Sequence, residues 1–463
     1  MLAQKKVDFE RHILKLCQPE AGAAVSTEWP TLQPLSADES LYFLHIPKTA
    51  GTTLQLWMGQ NFSTDEALPV VSSVELGKLP KQEIDRKRFI VGHFGISFGK
   101  HYRTPDRTVT WLRNPVERTI SEYYYWKRVA ALHPTASRVV GLPMTSGLED
   151  CLADHEFSRS RANVQTRDLG NYNFDPIRFF VSDSELMSNA IRTVESMEFV
   201  GITEQMQLSV DMLNWRLGWR PTQFDQHENK SARSCNTSET SLSLAKEMNR
   251  LDLELYEEAC EQLEQRYQAF LDDISRLAEE DGIAIPSLQD LSLDDYATVR
   301  ESLEPCLWNR YHLSTRNEPR VTSLTYTFDM PLRGHGWRER EGQRNMCSFP
   351  YRWMNQTRAT IDLPLRRDIP LKIRFRVAYS LGQPIELSLD GTRIDLRQIP
   401  TWDRFGTKAL LFEGTLPIGS NWETQLSTLT FGVPEVCRPC DLNPASADDR
   451  VLGVAIDWIS IEP

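Results

Sequence analysis

One short junction constrains this chain more than any other stretch. Leu41-Tyr-Phe-Leu-His-Ile46 is a run of buried-strand type, Pro47 stops it, and Lys48-Thr49-Ala50-Gly51-Thr52-Thr53 follows at once. Leu54, Leu56, Trp57 and Met58 then recur with helix-compatible spacing. Strand, small-residue turn and helix in that order predict a parallel α/β sheet. Phe89-Ile-Val-Gly-His93 and Thr108-Val-Thr-Trp-Leu112 repeat the arrangement, each a strand run followed by turn chemistry and a potential helix.

The junction also carries chemistry. Successive backbone N–H groups in a turn that enters the amino end of a helix form an anion cradle. Gly51 would let a ligand approach closely, Thr52 and Thr53 add hydroxyl donors, and Lys48 supplies a mobile positive charge. The plain alternative is a capped helix start. The GxxxxGK[ST] order of nucleotide triphosphatases is absent, which weighs against a kinase using ATP. A second segment, Arg113-Asn114-Pro115-Val116-Glu117-Arg118-Thr119-Ile120-Ser121-Glu-Tyr-Tyr-Tyr125, sets an arginine directly after a strand, with Pro115 at a helix start. Arg113 can fork onto a phosphate, and the Ser121 hydroxyl, eight residues later, can reach the same group.

Together these two segments resemble the carbohydrate-type sulfotransferases that use 3′-phosphoadenosine 5′-phosphosulfate (PAPS), above all the heparan sulfate 2-O- and 6-O-sulfotransferases and their bacterial relatives. The first is similar to their 5′-phosphosulfate loop, (H)(I/V)PKT(A/G)(G/S)T(T/S). The second is similar to their 3′-phosphate element, RxPxxRxxSxY, and lies about 65 residues further on in the matching order. Gln165-Thr166-Arg167, Phe199-Val-Gly-Ile-Thr-Glu204 and Asn249-Arg-Leu-Asp252-Leu-Glu-Leu-Tyr256 resemble later family segments, so the likeness runs over roughly residues 40–272.

The resemblance implies a P-loop-like α/β fold that moves a sulfuryl group from PAPS to a hydroxyl, here one on a saccharide or glycoconjugate. Donor contacts would come from Lys48, Thr49, Ala50, Gly51, Thr52, Thr53, Arg113 and Ser121, with no metal. Lys48 would also stabilise charge on the leaving phosphate. An acceptor hydroxyl must lose its proton, and a histidine in the segment matching Phe89–His93 is the family's proposed base. His93 is therefore the catalytic candidate, set against a structural histidine bonded to backbone. His101 is the reserve, and His45 reads as core or loop support. Arg118 and Arg167 are either anion contacts or ion-pair arginines, while Glu122 and Tyr123–Tyr125 read as helix packing. The rival from another class is a non-catalytic carbohydrate-binding protein on the same scaffold.

With 463 residues, more than one domain is expected. Boundaries fall at an amino-terminal extension over 1–40, the sulfotransferase domain over 41–275, a linker or packing segment over 276–320, and a carboxy-terminal antiparallel β-sandwich over 321–463. In the last region Leu371–Tyr379 and Ile385–Leu389 alternate apolar and polar residues, and Asp390-Gly391 reads as a hairpin turn into Thr392–Leu396. Segments around Trp337, Trp353 and Asp449–Ile456 resemble a β-rich module appended to bacterial glycosyltransferases. Trp337, Trp353 or Trp402 would stack on sugars if exposed, or fill the sandwich if buried.

Net charge is −12, from 52 Lys+Arg and 64 Asp+Glu, which disfavours a general nucleic-acid binder. The charge is uneven: Ser231–Arg300 has 6 basic and 16 acidic residues, whereas Val321–Pro463 has 17 of each. The acids follow a helical pattern over Ser241–Glu280, with Leu251, Leu255, Ala259 and Leu263 as its apolar stripe. Eight scattered cysteines suit a reducing cytoplasm. Cys437-Arg-Pro-Cys440 has metal-like spacing but lacks a second ligand pair. No secretory signal and no membrane span is expected.

Overall fold

The computed structural model describes residues 29–68, 72–96, 98, 104–132, 147–170, 181–224, 237–342, 349–380, 382–399, 410–443 and 445–463. His101, Trp402, Cys17, Cys235 and Cys347 lie outside the described residues, as does most of the expected amino-terminal extension. Two compact units emerge. One draws on residues up to Gln55, on Leu68–Leu217 and on Gln223–Cys306; the other on Leu56–Ala67, Gly218–Thr222 and Leu307–Pro463.

The first unit is α/β. Strands β1 (Leu41–Leu44), β2 (Phe89–Gly92), β3 (Arg107–Leu112) and β4 (Phe199–Ile202) form an all-parallel sheet in the order β2-β1-β3-β4. Leu41 pairs with both Phe89 and Arg107, and Val109 pairs with Phe199. All four residues of β1, β2 and β4 are buried, which explains why these strands read as continuous apolar runs. Gly201 in β4 is dictated by packing, since a Cβ there would lie 2.2 Å from Cε2 of the Trp111 ring. From β1 the chain goes to β2 on one side, then crosses to β3 on the other. Strand order therefore reverses between β1 and β3, and the carboxyl ends of those strands are where an open parallel sheet leaves a crevice.

Helix α1 (Gly51–Gly59) follows β1 and α2 (Pro115–Leu132) follows β3. Helix α3 (Val164–Leu169) packs against α4 (Asp183–Ser196), and α5 (Met206–Leu217) follows β4. The acidic region forms two helices rather than one, Glu239–Met248 and α6 (Arg250–Asp281). The break is at Asn249, whose Nδ2 donates to Ala245 O at 2.8 Å and to Thr119 Oγ1 at 3.0 Å. Leu251, Leu255, Ala259 and Leu263 are buried, and Gly282 ends α6 in left-handed backbone with φ 66°. The expected linker over 276–320 contains the end of α6 and the helix α7 (Tyr296–Thr315).

Helices α3 and α6 cap each other. Asn163, with φ 48°, accepts from Leu251 N at 3.0 Å and Asp252 N at 3.2 Å. In return the buried Asp252 carboxylate accepts from Gln165 N at 3.1 Å, Thr166 N at 2.7 Å and Thr166 Oγ1 at 2.6 Å. Each side chain satisfies orphan amides at the start of the other's helix.

The second unit holds two antiparallel sheets. One has the order β8-β7-β9-β5, from β5 (Arg358–Leu363), β7 (Glu386–Leu389), β8 (Thr392–Ile394) and β9 (Ser427–Gly432). The other, of seven strands among the described residues, is built around β6 (Leu371–Tyr379) and β10 (Ala455–Glu462). Residues of both sheets, such as Ile361, Phe431, Phe375 and Ile459, share one core. Asp390 and Gly391 turn the expected hairpin with φ 47° and 80°. Trp337 is buried and donates to Thr360 O at 2.8 Å, so it is a core aromatic rather than a sugar platform. Trp353 is half-buried and stacks on Tyr379 at 5.8 Å.

Replacing Asp252 by alanine removes three hydrogen bonds to a buried carboxylate. The expected loss is about 3 kcal/mol in denaturant unfolding. A change below about 0.5 kcal/mol, the range of neutral surface substitutions, would show that α3 is anchored by other means.

Candidate functional site

The loop after β1 holds its shape through its own polar groups. Thr49 is buried and its Oγ1 donates to Ile46 O at 2.9 Å, so this hydroxyl braces the loop and is not presented to a ligand. Lys48 and Ala50 both have positive φ, 73° and 66°. For residues with a Cβ this conformation is sparsely populated, and it turns neighbouring amides toward one concavity. Among the described residues, the amides of Lys48, Thr49, Ala50, Gly51 and Thr52 have no backbone acceptor. Thr52 is exposed and Thr53 half-buried at the start of α1.

Gly51 serves a different purpose from the close ligand approach expected of it. A Cβ on Gly51 would fall 1.7 Å from Nε2 of His45. The position is glycine because the protein's own imidazole fills the space. That ring also stacks on Phe43 at 5.6 Å and lies 4.4 Å from the His93 ring. Burial, then the charges of His93 and Lys48, push the His45 pKa down to about 3. His45 is thus the loop support that its place inside the strand run implied.

His93 leaves the end of β2 and is exposed. Its Nδ1 lies 2.7 Å from His45 O. A carbonyl oxygen can only accept, so Nδ1 carries the proton and Nε2 keeps its lone pair. Partial enclosure lowers the His93 pKa, against a smaller upward pull from that hydrogen bond, and the ring is neutral at pH 7. A neutral imidazole with a fixed tautomer and an open edge has the attributes of a general base.

The β3 side is tied to the same loop. Arg113 Nη1 donates to Lys48 O at 3.2 Å. Gln165 clamps the Arg113 backbone in both directions, accepting from its N and donating to its O, each at 2.9 Å. Asn114 caps α2, its Oδ1 accepting from Val116 N at 3.1 Å and Glu117 N at 3.3 Å. From β4, Thr203 Oγ1 donates to Thr49 O at 3.3 Å, and Glu204 accepts from Asn114 N at 3.0 Å and Tyr256 Oη at 2.9 Å. Ser121 is half-buried in the second turn of α2. Its hydroxyl makes no hydrogen bond among the described residues.

Arg118 and Glu122, four residues apart on α2, are buried together at 2.9 Å, and Arg161 reaches the second Glu122 oxygen at 2.8 Å. Burial alone would raise the Glu122 pKa, yet Arg118 and Arg161 hold it below the usual carboxylate value. Arg118 also reaches Pro47 O at 3.5 Å, so it is an ion-pair arginine bracing the loop. Arg167 donates to Ser160 O at 3.1 Å.

Tyr125, which reads as helix packing in the sequence, joins the site, as do Arg128 and Asp168, which sequence reading passed over. The Lys48 ammonium lies 4.2 Å from the centre of the Tyr125 ring. Arg128, exposed on α2, is felt at Lys48: burial lowers the Lys48 pKa, and Arg128 and then Arg113 lower it further. Their signal was the spacing of Ser121, Tyr125 and Arg128, which puts all three on one helix face. Burial pushes the carboxyl of Asp168, at the end of α3, up to about 7. Burial, and then that carboxyl, raise the pKa of Tyr42, whose Oη donates to Gly95 O at 3.0 Å, two residues beyond His93.

Searches against models of known protein families and against curated proteins find no match to this chain. No helix among the described residues is long and apolar enough to cross a membrane. Among the same residues no group of three or more His, Cys, Asp or Glu side chains is arranged to hold a metal ion, and Cys437 and Cys440 are half-buried thiols.

Substituting Gly51 by alanine is expected to expel the His45 ring, destabilising the protein by about 1–3 kcal/mol in unfolding experiments. Wild-type stability would mean that the ring relocates freely. An NMR titration should show the His45 ring neutral until about pH 3, with His93 titrating below the usual histidine value. The sign follows from linkage. Below about pH 6.5 the unfolded chain protonates His45 while the native state does not, so this residue lowers stability by up to about 1.4 kcal/mol per unit as pH falls. A His45 midpoint near 6.5 would contradict the packing of its ring.

Proposed function

We propose that this protein is a PAPS-dependent sulfotransferase whose acceptor is a hydroxyl on a saccharide or glycoconjugate, acting in the cytoplasm. The observation that carries the reading is the loop at residues 48–52. Uncommitted amides, two positive φ values and the Lys48 ammonium meet there, at the point where strand order reverses, with Arg113 held beside them. An anionic donor is the ligand such a loop suits, and its likeness to a 5′-phosphosulfate loop names the class. In this reading the loop works as a phosphate loop of P-loop-like type, and Arg113 and Ser121 take the 3′-phosphate. The second unit's resemblance to modules appended to glycosyltransferases favours a glycan acceptor over a small phenol.

The chemistry needs little from the protein beyond position and charge. The acceptor oxygen attacks sulfur while the bond from sulfur to the bridging phosphate oxygen breaks. That oxygen keeps the electron pair, and adenosine 3′,5′-bisphosphate departs. Lys48 and the loop amides face the charge that grows on the leaving phosphate. The acceptor proton passes to Nε2 of His93, which is free because Nδ1 is engaged by His45 O.

Calorimetry with adenosine 3′,5′-bisphosphate tests the donor site. The folded protein is expected to bind it, and Lys48→Ala or Arg113→Ala to weaken binding by about 10- to 100-fold, as for a lost charge-assisted contact. His93→Ala should leave that affinity nearly unchanged and abolish transfer of labelled sulfate from PAPS to glycan acceptors. A folded wild-type protein that ignores the nucleotide would refute the reading.

A further inference from the structure

We propose that Tyr125 is the positioning residue for Lys48: its ring face holds the ammonium at the mouth of the β1–α1 loop while no anion is bound. The geometry is a cation over an aromatic face, with Nζ 4.2 Å from the ring centre. Tyr125 is 39% exposed, so the ring is not there to fill a core. The edge of the neighbouring Trp126 ring, 5.1 Å away, backs it, and Arg161 lies over that second ring at 5.7 Å.

The surrounding charges explain why a ring is needed. His45 faces Lys48 from its own loop, Arg113 from the end of β3, and Arg118, Glu122 and Arg128 from α2. Three of these five are guanidinium groups that repel an ammonium. The one carboxylate, Glu122, is already shared between Arg118 and Arg161. Among the described groups felt at Lys48, the Tyr125 π-face is then a source of negative potential that is not committed to an arginine. Helix spacing places it well, because Tyr125 lies between Ser121 and Arg128 on one face of α2.

The consequence for function rests on the phosphosulfate reading of the loop. A lysine already held near its working place loses less rotamer freedom when the donor arrives. Tyr125 would not touch the reacting atoms; it acts through Lys48.

Two measurements on the full-length chain decide the matter. Trace acetylation of amines across an alkaline pH series, read at Lys48 by mass spectrometry without ligand, reports the ammonium directly. In Tyr125→Leu the Lys48 midpoint is expected to fall, so that labelling below the midpoint is about 3- to 10-fold faster, the size of a cation–π contact. Tyr125→Phe keeps the wild-type midpoint, because the ring and not the hydroxyl carries the contact. Tyr125→Gln, a good helix former, takes the place of the leucine variant if that one fails to fold. A purely structural ring would change accessibility and scale the rate at every pH without moving the midpoint. That result, or a phenylalanine variant that behaves like leucine, overturns the proposal. In the second measurement adenosine 3′,5′-bisphosphate affinity should drop about 3- to 10-fold in Tyr125→Leu and stay unchanged in Tyr125→Phe; an unchanged leucine variant also counts against it. If the wild-type protein binds no nucleotide, the donor assignment falls, whereas the labelling midpoint still decides whether Tyr125 holds Lys48.

Discussion

The imidazole of His45 occupies the space that any side chain at residue 51 would need, and much of the site follows from that contact. With the ring inside the turn, the chain from Ile46 to Gly51 closes tightly, and Thr49 can turn its hydroxyl back to Ile46 O. The same residue's carbonyl takes the proton-bearing nitrogen of His93. A single residue therefore shapes the loop with its side chain and fixes the tautomer of the neighbouring histidine with its backbone. Because the ring is neutral down to about pH 3, it adds no charge of its own to a loop already rich in cations.

Charge balance around that loop is asymmetric by layer. Beneath it, Arg118 and Arg161 share Glu122, and Asp252 is saturated by three donors at the start of α3. These charges are internally satisfied, as burial requires. Nearer the surface, Lys48 lies over an aromatic ring, and Arg113 meets the Lys48 carbonyl and a Glu117 oxygen 3.9 Å away. A buried layer with equal charges of each sign thus lies under the half-buried Lys48 and Arg113 and the exposed Arg128, even though the chain as a whole carries −12. The acids responsible for that total lie mainly on the outer face of α6, remote in sequence from the loop.

Much of this was legible in the sequence because it rests on local signals. The strands β1 and β2 announce themselves as apolar runs, β3 as a strand run ahead of a turn and a helix, the α6 stripe as a four-residue repeat, and the Asp390-Gly391 hairpin by its turn pair. What escaped depends on partners far apart in the chain. Gly51 looked like a concession to a ligand, since nothing local says that a histidine six residues earlier folds back onto it. Gln165 meets Arg113 across 52 residues and Asp252 meets Thr166 across 86, and no periodicity reports such pairs. The break at Asn249 escaped for the same reason: its partner Thr119 lies 130 residues away. Tyr125 was hidden by its neighbours, because three tyrosines in a row read as packing until the helix face that each occupies is known.

The positive φ angles at Lys48 and Ala50 bear on why such a loop persists. Each costs free energy that a glycine would have spared, on the order of 1 kcal/mol or more. Glycine at those positions would relieve the strain but loosen the turn, and at 48 would delete the ammonium. The surroundings over-determine the loop instead: His45 fills it, Arg118 and Arg113 bond to Pro47 O and Lys48 O, and Thr203 reaches Thr49 O. Residues that follow three strands, and one on α2, thus hold five consecutive amides that have no backbone acceptor among the described residues. A structure that only needed to cap α1 could do so with one serine or aspartate. Maintaining strain and leaving donors uncommitted is reasonable when the missing acceptor is supplied from outside, and a group bearing several oxygens and a negative charge satisfies amides, ammonium and guanidinium at once.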